Sequence, residues 1–67
     1  MQRGTVRWFN DAKGYGFVVG DDGREVFVHY SAIACEGFRT LVAGQVVDYD
    51  EQQGQRGWFA VRVAVAG

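Results

Sequence analysis

Ten glycines and no proline punctuate this 67-residue chain, and between the glycines lie short runs of β-branched and aromatic residues. That pattern predicts short strands joined by turns. Five runs qualify: "GTVRWFN" (4–10), "GFVVG" (16–20), "EVFVH" (25–29), "QVVDYD" (45–50) and "WFAVRVAV" (58–65). The Asp-Gly pair in "DDGR" (21–24) is a hairpin signal between the second and third runs. "GQRG" (54–57) turns into the fifth run, and one helical turn is expected around 31–33.

Five short strands must hide their edges, and so short a chain cannot build a large two-sheet sandwich. Closure into a small barrel solves the edge problem. The expected fold is therefore all-β: a five-stranded antiparallel barrel of OB-fold type, in one domain over residues 1–67. A domain of this size buries only about 60% of its unfolded surface, and its single cysteine leaves no intrachain disulfide to staple it. With 48% hydrophobic residues and a net charge of −1, the composition is not that of a disordered chain.

One cysteine points to a reducing compartment. The stretch "MQRGTVRWFN" holds no apolar run of signal-peptide length, and no segment approaches the ~20 apolar residues needed to span a bilayer. The expectation is a cytoplasmic protein with no membrane partner. Seven basic side chains against eight acidic ones do not by themselves suggest a polyanion ligand. Any case for nucleic acid must rest on where the rings and cations fall.

Alternate residues of a strand face opposite sides. In the third run Val26 and Val28 share one face, and Glu25, Phe27 and His29 the other. In the second, Gly16 and Val18 oppose Tyr15, Phe17 and Val19. Small aliphatic side chains suit the interior of a narrow barrel, whereas burying Glu25 and His29 without partners would be costly. Tyr15, Phe17, Phe27 and His29 are therefore expected outside. The first run requires Val6 inside and Trp8 outside, which simple alternation forbids and a bulge or sharp coil would permit. In the fifth run Phe59, Val61, Val63 and Val65 are expected to face inward. Ile33, Leu41, Val47 and Tyr49 are expected to complete or cap the core.

The outer cluster is then Trp8, Tyr15, Phe17, Phe27 and His29, with Tyr30 and Phe38 in reach. Arg7, Lys13, Arg39 and Arg56 adjoin these rings in sequence, and the acids fall mostly elsewhere. Rings on a sheet face among scattered cations form a platform on which single-stranded bases stack, each worth about 1–3 kcal/mol. The competing reading is a protein-interaction module whose aromatic face receives a peptide or a second copy of the chain. For Lys13 and Arg56 the plain alternative is solvated surface charge. With one histidine and one cysteine, no usual zinc ligand set can form. Cys35 is expected to be a free thiol on a loop. No catalytic residue, cofactor or metal is expected.

Taken together, "KGYGFV" (13–18), "VFVHYSAI" (26–33), "RWFN" (7–10), "GFRTL" (37–41), "GQVV" (44–47) and "GQRG" resemble the bacterial cold-shock domain family in order and spacing. The resemblance covers nearly the whole chain and implies an OB-type barrel that binds single-stranded RNA and DNA as an RNA chaperone. It also implies roles in transcription antitermination or adaptation to cold. The family's ligand face would fall on Arg7, Trp8, Lys13, Tyr15, Phe17, Phe27, His29, Tyr30, Phe38 and Arg56. Three departures stand out. Tyr15 and Tyr30 replace the common phenylalanine, and Glu25 the usual aspartate. "GWFA" (57–60) stands where the family typically has proline-glutamine before the alanine. A monomer is expected, with Trp58 and Phe59 as the pair through which copies would self-associate.

Overall fold

The computed structural model describes residues 1–34 and 40–66. Cys35, Phe38 and Arg39 lie outside the described residues. The elements are β1 (Gln2–Asn10), β2 (Tyr15–Gly20), β3 (Glu25–His29), a one-turn 3-10 helix (Tyr30–Ala32), β4 (Val46–Gly54) and β5 (Gly57–Val65). The strands close into a barrel in the order β1-β2-β3-β5-β4, with β4 paired back to β1. The expected five-stranded barrel is borne out. Four of its seams are antiparallel, and the β3–β5 seam is parallel. A ring of five strands cannot alternate direction at every seam, so closure itself demands a parallel one.

The interior is small and aliphatic. Val18, Val26, Val28, Val47 and Val63 are fully buried, and Val6, Tyr49, Ile33 and Leu41 nearly so. Each buried valine contributes on the order of 1.5–3 kcal/mol relative to exposure, and in β2 and β3 the valines Val18, Val26 and Val28 fix which face turns inward. Ile33, just past the helical turn, bridges to Val63 and covers one end. Gly16 faces inward where β1 crosses closely: a Cβ there would sit 2.7 Å from the Cα of Phe9. Outside, Arg3 of β1 grips Asp48 of β4 with two hydrogen bonds of 3.0 and 3.2 Å across a directly paired position. That grip lowers the pKa of Asp48 below the usual carboxylate range and raises that of Arg3.

Two bulges set the faces. In β1, Val6 pairs with Val18 and Trp8 with Phe17, so Arg7 is the extra residue. Val6 therefore points in while Arg7 and Trp8 both point out, which resolves the conflict in the sequence. In β5, Ala60 pairs with Glu51 and Arg62 with Asp50, leaving Val61 extra. This second bulge corrects the expected inner face of the fifth strand. Val63 is buried, but Val61 is exposed and Ala60 is buried in its place, while Val65, expected inside, shares the Val63 face and is exposed where the strand ends. N-terminal to the bulge the parity is reversed, so half-buried Trp58 packs against the core and Phe59 takes the other face.

Candidate nucleic-acid interface

The outer faces of β1, β2, β3 and β5 bring four aromatic residues into one rank. Trp8 pairs with Phe17, Phe17 with Phe27, and Phe27 with Phe59. Directly paired residues share a face of the sheet, with Cβ atoms about 4.5–5.5 Å apart on antiparallel strands. The Trp8 and Phe17 ring centroids are 5.5 Å apart, and those of Phe17 and Phe27 5.7 Å at a near-perpendicular 76°. Tyr15 meets Trp8 edge-on at 5.8 Å and stacks with Phe27 at 5.7 Å and 29°. These tilted and edge-to-face contacts suit the ring quadrupoles and fix the side chains to one another. Trp8 is 40% exposed, and Tyr15, Phe17 and Phe27 are half-buried. The cluster is thus braced from within and open from without.

A second aromatic pair lies at the end of β3. His29 and Tyr30 are 4.5 Å apart, both exposed, and His29 pairs with Tyr15 across the strands. His29 caps the helical turn: the Ser31 backbone N–H donates to its Nδ1 at 3.3 Å, and Ser31 Oγ lies 2.9 Å from the same atom. An Nδ1 that accepts puts the proton of the neutral ring on Nε2. The Tyr30 ring rests on Gly14, whose missing side chain would fall 2.7 Å from Tyr30 Cδ1.

The cations are less uniform. Arg7 is exposed and bonded to Glu25 at 3.3 Å. Lys13 sits in the β1–β2 loop, where its backbone N–H donates to Asn10 Oδ1 at 2.9 Å. Arg56 is exposed in the β4–β5 turn, on a groove that Phe27, His29, Trp58 and Phe59 also line. The structure therefore gathers Trp8, Tyr15, Phe17 and Phe27 into one contact cluster and sets His29 and Tyr30 beside it. Arg7 is on β1, paired with Glu25, and Arg56 is in the β4–β5 turn. Phe38 is outside the described residues.

One arrangement escaped sequence reasoning. The guanidinium of Arg24 lies 4.2 Å over the Trp58 ring, is ion-paired to Glu51, and reaches Asp22 at 3.5 Å. No local motif marks it, because Glu51 and Trp58 come from β4 and β5, and only Asp22 is near Arg24 in sequence. Among the described residues, no group of three or more His, Cys, Asp or Glu side chains is placed to share a metal ion, and no helix is long and apolar enough to cross a membrane.

Residues 2–66 match the family described as the 'Cold-shock' DNA-binding domain. Over 63 residues the chain is 59% identical to Cold shock protein 2 of Lactiplantibacillus plantarum, covering 94% of this chain and 96% of that protein. It is 54% identical to a Cold shock-like protein of Thermotoga maritima, with the same coverage. It is 51% identical to the Major cold shock protein of Streptococcus pyogenes, over 94% of each chain. A match that spans nearly the whole barrel, with more than half of the aligned positions identical in these relatives, means that this chain belongs to the cold-shock domain family.

Proposed function

We propose that this chain binds single-stranded RNA and DNA, without catalysis, and acts as an RNA chaperone in the cytoplasm. The observation that carries the reading is the contiguous Trp8–Phe17–Phe27 rank with Tyr15 packed against it on the outside of the barrel. Unpaired bases offer flat faces to such a rank; bases stacked in a duplex do not. His29 and Tyr30 extend the stacking surface, and Phe38 is proposed to join them. Arg7, Lys13 and Arg56 supply contacts to phosphate. A protein that holds bases apart in this way keeps messages single-stranded, and relief of transcription termination or support of growth in the cold would follow from that act.

Tryptophan fluorescence during titration with a short single strand, and separately with its duplex, tests the reading. Quenching and tight binding by the single strand alone are expected. Equal binding of the duplex, or binding of neither, would sink it and leave the face to a protein partner.

A further inference from the structure

We propose that the groove between β3 and the β4–β5 hairpin holds one additional nucleobase of the bound strand, with Phe59 as its stacking ring. The inference rests on the single-strand reading above and extends it to a residue outside the face that the family resemblance implies.

The parallel Phe27–Phe59 pairing continues the aromatic rank onto a fourth strand. Ring contacts run without a break from Trp8 to Phe27 and, among the described residues, stop there. The reason lies in Gly54. A Cβ at that position would lie 3.0 Å from Phe59 Cε1, so the Phe59 ring leans over the bare backbone of the hairpin and away from Phe27. The space left between the two rings is the apolar groove that Phe17, Phe27, Trp58 and Phe59 line.

The far wall of this groove is held in place. Trp58 packs against the core, and Arg24 covers its ring at 4.2 Å while pairing with Glu51, whose side chain is only 8% exposed. Trp58 is thus a fixed support rather than a free platform, and Phe59 is the ring left to meet a ligand. A wall ordered before binding costs little entropy on binding. The chemistry selects a flat, uncharged occupant: the walls are aromatic, Glu25 on the lining disfavours a phosphate against it, and exposed Arg56 on the same lining offers a cation for the phosphate attached to the base. A base continuing along the Trp8–Phe17–Phe27 rank meets each of these conditions.

The full-length chain and its Phe59→Gln, Phe59→Trp and Phe17→Ala variants are titrated with oligothymidylates of increasing length, with sedimentation alongside. Phe59→Gln is expected to weaken binding of the longer oligonucleotides by about five- to a hundredfold. It should leave the shortest unaffected, Phe59→Trp should keep the affinity, and Phe17→Ala should weaken binding at every length. If Phe59→Gln binds normally at all lengths while Phe17→Ala binds weakly, the groove holds no base and the wider face stands. If neither variant changes affinity, the face reading falls and the groove with it. A Phe59→Gln variant that changes mass but not affinity would assign the groove to a second copy of the chain. Should Phe59→Gln fail to fold, Phe59→Leu, which keeps an apolar side chain but removes the ring, decides in the same titrations. Weaker binding of the long but not of the shortest oligonucleotides supports the site, and unchanged affinity at every length overturns it.

Discussion

At the scale of single residues, the interface depends on side chains that do more than one thing. Phe17 and Phe27 brace their neighbours and also present part of their surface to solvent. Because the valines carry the core, Phe17→Ala and Phe27→Ala are each expected to stay folded and to weaken single-strand binding by about 1–3 kcal/mol. Circular dichroism beside a titration checks both halves of that statement. Arg7 is a cation at the ligand face that is already engaged by Glu25. Such an exposed pair contributes little to stability, yet a phosphate must compete with it for Arg7. Glu25→Gln is accordingly expected to tighten single-strand binding with little change in unfolding. It should also steepen the salt dependence by up to about 0.7, the value of one phosphate contact on a single strand. A weaker complex would show instead that Glu25 positions Arg7 for the ligand.

At the scale of elements, two bulges and one close crossing place the rings. A bulge turns two consecutive residues outward and sharpens the local twist. In β1 it lets Arg7 and Trp8 both face the ligand while Val6 stays in the core, and in β5 it reverses the strand so that Phe59 joins Phe27. The β1–β2 hairpin needs glycine at 16, since a Cβ there would meet the β1 backbone at Phe9. Gly16→Ala is thus expected to push apart the two strands that carry Trp8 and Phe17. A loss of about 1–3 kcal/mol is anticipated, the usual cost of overpacking. Urea unfolding measures it, and an unchanged midpoint would mean that the crossing relaxes freely.

At the scale of the whole molecule, charge and burial set how the protein responds to its medium. Of the seven basic side chains, Arg3, Arg7 and Arg24 are tied to carboxylates, and net charge is −1. Stacking releases no counterions, so affinity for one oligonucleotide should fall only gently with salt. A slope equivalent to roughly two to four phosphates is expected, at about −0.7 for each. A much steeper slope across a salt series would locate the binding on a basic surface elsewhere. At high pH the barrel itself should weaken. Burial, with the nearby charge of Glu51 and Asp22, pushes the Tyr49 hydroxyl above its ordinary value of 10.0. A folded-state pKa raised in this way stabilises the fold fully below the unfolded value, and that stability is lost as pH rises from the unfolded toward the folded value. Stability should therefore decline above about pH 10, and less so in Tyr49→Phe. Identical alkaline profiles for the two proteins would exclude Tyr49 as the cause.

Much of this was legible from local chemistry. The period of two in "EVFVH" separated Val26 and Val28 from Phe27 and His29, because in a strand geometry alone assigns alternate residues to opposite faces. That β1 must depart from plain alternation, by a bulge or a sharp coil, followed from the same rule, and the structure supplies the bulge. The aromatic surface and the five strands were thus determined by the sequence without reference to any neighbour. The tertiary structure alone decided what depends on pairing between distant strands. The bulge at Val61 lies in the seam of β5 with β4, on a strand that also pairs with β3, and no residue near it announces the shift in register. The sequence alternation therefore assigned Phe59 and Val61 to the interior, while the bulge turned Trp58 and Ala60 inward instead, and Val65 is exposed only because the strand ends there. Strand periodicity is a property of each segment, but which residue a bulge skips is a property of the register between a strand and its partner.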